Sequence, residues 1–457
     1  MSPRKLNAMR VLLVSTYELG RQPVHLASPA AALRREGHEV RTVDISVDDI
    51  GDEDVDWPER LAISVPMHTA TRLADSLVDA VHSRRRDLPI ALYGLYAGVG
   101  SARVDARFEG EYEPGLIEWA SGIGSTSHRH LGRSDLAVPD RSGLPALDRY
   151  ARLEHDGTTV LAGAVETSHG CRHRCRHCPI PAVYDGRIRV VARDDVLFDI
   201  ENLVTAGAGH ISFGDADFLN APAHSLAILE KAHAAHPEVT FDATIKVEHI
   251  LRHGDIWPRL SELNLLFVVS AFESVDESTL EILDKGHSVT DMTEAVALTR
   301  QAGVHIRPTW LPFFPWTTPA DVADVFQFID DHDLAGATDP VQMSIKLLMP
   351  RGSLLESHEA MTPHLSGYDT AALTWRWDFA DPEAELLYKE LEAIAANASD
   401  CGQEAVATLN EMRVVVSRAS GRDLSPLEGV VPAPRLTESW FCCAEPTGSQ
   451  TVTIGPR

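Results

Sequence analysis

Cysteine is scarce in this chain: there are six in 457 residues, none among residues 1–150, and three within one tight loop. So sparse a set excludes a disulfide framework and fits a reducing compartment. Apolar runs long enough to cross a bilayer are also missing, and the N-terminus has neither the apolar region nor the cleavage site of a secretory signal. The expected location is therefore the cytoplasm, with no membrane partner. Positive charge is in short supply, with 41 Lys and Arg against 67 Asp and Glu and a net charge of −26. Phosphate repulsion at that charge argues against general nucleic-acid binding. What remains, 44% hydrophobic and 24% charged, is ordinary globular composition, in a chain long enough for two or three domains.

Against that background the loop Thr167-Ser-His-Gly-Cys-Arg-His-Arg-Cys-Arg-His-Cys-Pro179 stands out. Cys171, Cys175 and Cys178 follow directly on an apolar strand-like run, Val160–Val165. Three thiolates can hold three corners of a cubane and leave the fourth iron open to an outside ligand, and thiolates suit the soft iron–sulfur core. The alternative is structural zinc, which wants four ligands, usually as two separated pairs; His173 or His177 would have to supply the fourth. Arg172, Arg174 and Arg176 alternate with the histidines, either to stabilise a reduced, anionic centre or attract an electron donor, or as a solvated basic turn. The loop resembles the signature of radical S-adenosylmethionine enzymes. That resemblance implies a 4Fe–4S cluster on Cys171, Cys175 and Cys178. It also implies S-adenosylmethionine bound at the open iron and its reductive cleavage to a 5′-deoxyadenosyl radical.

Upstream, Arg10–Ser15, Val40–Val43, Leu61–Val65 and Ile90–Tyr93 read as strands, with helices at Ala30–Glu36 and Leu73–Arg84. This alternation predicts a doubly wound, Rossmann or flavodoxin-like sheet over residues 1–145, with any ligand beyond the strand ends. Together with Gly110-Glu-Tyr-Glu113 and the linker Pro145-Ala-Leu-Asp148, the pattern is similar to the cobalamin-binding domain that precedes many radical S-adenosylmethionine cores. The resemblance implies a corrin near Thr16, Met67 and Tyr96. The Asp-x-His-x-x-Gly stretch that ligates cobalt elsewhere is absent, and His25 and His68 are the nearest loop histidines. A platform or lid that binds no cobalamin is the other reading.

Residues 150–350 read as a partial (β/α)6 TIM-type barrel, with strands at His210–Phe213, Thr240–Ile245, Leu265–Ala271 and Val304–Thr309 and the chemistry at its carboxyl-terminal mouth. By resemblance, Asp215 and Asp217 meet the methionine amine, while Lys246, Glu248 and Glu273 contact the ribose or carboxylate. For Asp217 a helix-capping turn is the alternative, and for Lys246 and its carboxylates an exposed ion pair. Leu311–Thr317, rich in proline and aromatics where the family has a glycine-rich turn, offers an apolar wall around a radical site.

From residue 351 the pattern turns mainly helical, and Cys442-Cys-Ala-Glu-Pro446 lies near the end. This string resembles the tail for which a small group of radical S-adenosylmethionine proteins is named, some with selenocysteine at the second position. The resemblance implies reactive sulfur at Cys442 and Cys443; two inert thiols are the alternative. The expected activity is methyl transfer to an unactivated carbon with cobalamin. Its rival is cobalamin-independent rearrangement or sulfur chemistry at Cys443, and a non-catalytic metal- or cobalamin-binding regulator is a third reading. Expected partners are a small-molecule or peptide substrate and a reductase, flavodoxin or ferredoxin electron donor.

Overall fold

The computed structural model describes residues 8–100, 103–124, 126–133 and 137–438. Cys442 and Cys443 lie outside the described residues. Short Val-, Leu- and Ile-rich runs form the first sheet: β1 Arg10–Ser15, β2 Glu39–Asp44, β3 Arg60–Ser64, β4 Ile90–Tyr93, β5 Ala106–Gly110 and β6 Ser127–His130. All neighbours are parallel, in the order β2-β1-β3-β4-β5-β6. β4 is buried at every position, as expected for a strand covered by helices on both faces. The order reverses between β1 and β3, which opens the crevice beyond their carboxyl ends. Two flanking helices start earlier than the sequence predicts, at Val24 and His68. Pro29 lies inside the first of these, which hid its opening turn.

The second sheet begins with the hairpin β7 Arg152–His155 and β8 Thr158–Val165. Next come β9 Ser168–Gly170 and β10 Ile188–Val190, an antiparallel pair that brackets the cysteine loop. β11 His210–Phe213, β12 Thr240–Thr244, β13 Leu265–Glu273 and β14 His305–Trp310 follow. A small pair, β15 Leu365–Asp369 and β16 Thr374–Trp377, and an edge strand, β17 Arg435–Leu436, complete the set. The order is β14-β13-β12-β11-β8-β7-β17, with β8 and β11 to β14 parallel. This is a curled half-barrel of five parallel strands where six were expected. Only a single parallel bridge, Phe313 to Lys346, stands at the sixth place. Pro312 and Pro315 flank that bridge and lack the N–H groups a ladder needs. The core is aromatic, with Phe213, Phe241, Trp257, Phe272 and Trp310 almost fully buried. Helices Pro382–Cys401 and Ala405–Ser420 pack beside it, and Arg413 forks onto Asp330 of the helix Pro319–Asp331. Among the described residues no helix is long and apolar enough to cross a membrane.

One guanidinium joins the two sheets. Arg141, between β6 and β7, donates to both carboxylate oxygens of Asp199 at 2.7 and 2.8 Å, to Gln22 Oε1 at 3.0 Å and to the Ala164 carbonyl at 2.7 Å. Gln22 belongs to the first unit, Ala164 and Asp199 to the second. Removing one partner of a buried pair strands the other charge. Asp199→Ala should lower the unfolding free energy by about 3–5 kcal/mol in a urea titration, and a loss below about 1 kcal/mol would contradict this role for Arg141.

Candidate active site

Gly170, at φ 77°, ends β9 and turns the chain into Cys171; a Cβ there would lie 2.4 Å from the Arg187 carbonyl oxygen. The loop is then fixed from three sides. Asn220 Oδ1 accepts from the Arg172 N–H at 3.2 Å and lies 3.9 Å from the Cys171 sulfur. Arg176 donates its backbone N–H to the Leu283 carbonyl at 2.8 Å, and its guanidinium caps the helix Glu277–Leu283 through the Glu281 and Ile282 carbonyls. It is therefore no solvated turn residue, whereas Arg174 pairs with Asp185 at the surface. Between Cys175 and Cys178, His177 Nε2 meets Glu273 Oε1 at 3.0 Å, and Lys285 Nζ meets the same oxygen at 3.1 Å. Burial alone would raise the Glu273 pKa, but the charges of Lys285 and His177 outweigh it and hold the carboxyl well below the usual range. Glu273 has φ 68°, a left-handed conformation that a non-glycine residue adopts only under constraint. Its carboxylate supports the loop through His177 and Lys285.

Burial pushes the Cys178 thiol up to about 12 and also raises Cys171. Zinc at bond lengths of about 2.3 Å would draw four ligands to within about 4 Å of one another. Among the described residues only His173, Asp217 and His249 converge within 4.8 Å, and the three sulfurs form no such set. Both loop histidines point to carboxylates.

Asp215 lies at the end of β11, where its carboxylate accepts from the Thr167 N–H at 2.8 Å, the Thr167 hydroxyl at 2.7 Å and the Ser168 hydroxyl at 2.6 Å. Burial raises its pKa to about 6 against those bonds. Both oxygens are thus engaged in holding the turn from β8 to β9. Asp217 divides its roles: Oδ1 accepts from the Leu219 N–H at 3.0 Å and caps the turn Phe218–Asn220, while Oδ2 faces His249 Nδ1 at 2.7 Å and His173 Nε2 at 3.7 Å. Lys246 Nζ is 3.1 Å from His173 Nδ1 and 3.5 Å from Glu248. Burial and Lys246 lower the His173 pKa to about 4. The structure therefore brings Asp217, Lys246 and Glu248 together and sets Glu273 apart from them. The expected apolar wall is interior: Leu311 and Phe314 pack with Leu283, Leu347 and Trp377.

Where the two sheets meet end to end there is a cleft of ≈ 220 Å³, lined among others by Glu18, Met67, Glu166, His169 and Tyr184. It adjoins Gly170 and Ile180, which flank the cysteine loop. An alternating series of charges crosses it: Glu18 to His25 at 2.9 Å, His25 to Glu166 at 3.7 Å, Glu166 to His169 at 3.4 Å, and His169 to Glu111 at 3.1 Å. Of the expected corrin neighbours only Met67 lines this space. The Thr16 hydroxyl donates to the Ala70 carbonyl at 2.8 Å, and Tyr96 is buried edge-on to His68. Glu18, Glu166, Asn220 and His249 escaped the sequence reading, and Glu111 and His169, although inside the quoted Gly110–Glu113 and Thr167–Pro179 stretches, were not singled out. Three of them, Glu18, Glu111 and Glu166, stand just beyond strand ends, a position that could have flagged them.

Residues 165–329 match the model of the Radical SAM superfamily, so this stretch is a radical SAM domain, which implies a 4Fe–4S cluster and S-adenosylmethionine. The hopanoid C-2 methylase of Rhodopseudomonas palustris is 20% identical over 306 residues, covering 65% of this chain and 57% of the relative. The chain thus spans less than two thirds of that relative's length. Among solved structures, the cobalamin-dependent S-adenosylmethionine radical enzyme OxsB, in its apo form, aligns with a TM-score of 0.66 at 14% identity over 86% of this chain and 67% of that one. The radical S-adenosylmethionine methyltransferase TsrM from Kitasatospora setae aligns with a TM-score of 0.54 at 20% identity over 71% and 72%. These two likenesses establish the fold, front sheet included.

The cleft charges give stability a definite pH dependence. His25 is desolvated, which would lower its pKa, but Glu18 and Glu166 raise it from 6.5 to about 9. Its contribution is complete below pH 6.5 and is lost as the pH rises through 9. Glu166 is desolvated too, yet His25 and His169 lower it from 4.5 to about 2, so its contribution is complete above 4.5 and fades as the pH falls through 2. Urea titrations should show stability falling between pH 6.5 and 9 in the native chain and falling less steeply in Glu18→Gln. Identical slopes would contradict the pairing.

Proposed function

We propose that the chain is a cytoplasmic radical S-adenosylmethionine enzyme that methylates an unactivated carbon of a small-molecule or peptide substrate with the aid of cobalamin. Residues 1–145 form its cobalamin-binding unit, 150–350 its radical core and 351–457 its C-terminal extension. The observation that carries this reading is the three-thiol loop, clamped at the mouth of the half-barrel and adjoining a cleft that the front sheet closes. Bound there, a 4Fe–4S cluster supplies the reductive cleavage of S-adenosylmethionine to a 5′-deoxyadenosyl radical.

The chain's own residues do the rest. Cys171, Cys175 and Cys178 hold the cluster, and Lys285, nearly fully buried, offers positive charge to Cys175 and Cys178. Lys246 and Glu248 are proposed to meet the carboxylate and ribose of the cofactor. Gly94, Gly110, Gly170 and Gly214 line the cleft, so a flat ligand meets backbone over part of its wall. Protonated against their carboxylates, His25 and His169 have no free lone pair to offer cobalt. The methyl-transfer reading draws support from the hopanoid methylase and the two structural likenesses. The electron donor is proposed as a reductase, flavodoxin or ferredoxin.

Sulfur chemistry at Cys443 is the second reading. Glu438 lies against Gly20, next to the cleft residues Leu19 and Arg21. Cys443 follows five residues later, an extended reach of about 18 Å. Ala at Cys171, Cys175 or Cys178 should abolish iron and sulfide binding together with 5′-deoxyadenosine release, measured anaerobically. Retention of either would refute the assignment. On the second reading, Cys443→Ser keeps both and blocks only turnover. Hydroxocobalamin added to cluster-loaded protein should give a bound, spectrally shifted species at micromolar concentration. Absence of binding there would leave the front sheet a platform and defeat the methyl-transfer reading.

A further inference from the structure

The chain carries a net charge of −26, yet one face of it is basic. At the centre of that face is the stretch from the helix Ile180–Tyr184 through β10, which follows closely on Cys178. Three segments border it. The cysteine loop lies beside Gly186, where a Cβ would stand 3.5 Å from the Arg172 carbonyl oxygen and 3.8 Å from Arg174 Cγ. The edge strand β6 reaches it through Arg129, which donates to the Ala182 carbonyl at 2.9 Å, and Arg189 donates to the Gly132 carbonyl at 3.1 Å. On the third side a Cβ at Gly352 would lie 4.0 Å from Ala182, and the Ser353 hydroxyl donates to the Arg176 carbonyl at 3.2 Å. Arg129, Arg133, Arg172, Arg174, Arg187 and Arg351 are exposed on these segments. Arg174 is balanced by Asp185 at 2.8 Å and Arg129 by Glu109 at 2.9 Å. The other four make no ion pair among the described residues, whereas Arg84, Arg259 and Arg422, exposed on other elements, each hold a carboxylate. Val190, 52% exposed beside Arg189, adds an apolar spot to the charged face, a combination that protein interfaces use.

We propose that this face docks an acidic one-electron carrier protein, of the flavodoxin or ferredoxin type, which reduces the cluster. One electron leaves the carrier's reduced centre and enters the cluster, and no proton or group is transferred. Arg172 follows Cys171 and Arg174 precedes Cys175, so a partner seated here is one residue away from two of the cluster cysteines. None of the six arginines lines the cleft between the sheets, so the carrier leaves that space to cofactor and substrate. The charge of the whole chain repels an acidic partner everywhere else, which selects this one orientation of approach. Nucleic acid, a longer polyanion, meets the same repulsion beyond the edges of the face. The proposal rests on the cluster assignment and does not depend on methyl transfer.

The test is stopped-flow reduction of the cluster-loaded protein by a photoreduced acidic flavodoxin and by a reduced acidic ferredoxin. For at least one carrier the second-order rate constant should fall at least about tenfold from low to high ionic strength. Arg133→Glu, Arg187→Glu and Arg351→Glu combined should lower it at least about tenfold at low ionic strength and flatten its salt dependence. Iron and sulfide content and the extent of reduction by dithionite should stay unchanged in that variant. Arg84→Glu, Arg259→Glu and Arg422→Glu combined alter the net charge equally and should leave the rate within about threefold. Reduction by neither carrier, a salt-independent rate in the unaltered protein, or equal slowing by the two triple variants would each overturn the docking face. So would an RNA oligonucleotide that binds in preference to both carriers and is lost in the first variant. An unaltered protein that dithionite cannot reduce would instead overturn the cluster assignment, and the proposal with it.

Discussion

A single carboxylate oxygen, Glu273 Oε1, receives both Lys285 and His177, and the placement of the cysteine loop follows from it. Lys285 and Glu273 are nearly buried, so each charge depends on the other. Breaking a pair of this kind leaves an uncompensated charge in low dielectric, a larger penalty than the pair's own net worth. Glu273 is also the last residue of β13, bent to positive φ where the strand leaves the barrel. The barrel strand therefore reaches directly into the loop, to the histidine between its second and third cysteines. With Asn220 and Arg176 holding the flanks, eight residues without regular structure of their own acquire a fixed shape.

The two parallel sheets meet with their carboxyl ends toward a common cleft, the end at which parallel α/β sheets carry their ligands. The series Glu18, His25, Glu166, His169 and Glu111 runs from the end of β1 through the helix Val24–Arg35, β8 and β9 to the end of β5. Each member is largely shielded from water, and the neighbouring charges hold His25 and His169 protonated and Glu166 ionised. The chain thus brings a radical SAM loop and a partly enclosed cleft crossed by charges into contact. Arg141 fixes the same junction from behind, so the opening of the cleft is set by hydrogen bonds rather than by apolar contact alone.

Much of this was legible in the sequence. The cysteine spacing is a local signal, and the apolar runs that became β1, β3, β4, β8 and β11 to β14 are dense enough to announce buried strands. β5 and β6 were missed because Ala-Arg-Phe-Glu-Gly and Ser-His-Arg-His carry too much charge to look like strands. The sixth barrel position shrank to one bridge because prolines deprive it of donors. Site residues divided along the same line. Lys246, Glu248 and Asp217 do gather at the loop, but Thr16 and Tyr96 serve the interior of the first sheet. Asp215 ties a turn, and Glu273 supports the loop. A residue's place beyond a strand end can be read from sequence; which neighbour claims its side chain depends on tertiary contacts.

The central claim is that three cysteines hold a four-iron centre with one iron open to an outside ligand. Mössbauer spectroscopy of protein reconstituted with ⁵⁷Fe tests it most directly. The account predicts that S-adenosylmethionine alters the signal of one iron in four and leaves three unchanged. Four irons that respond alike, or not at all, would contradict it.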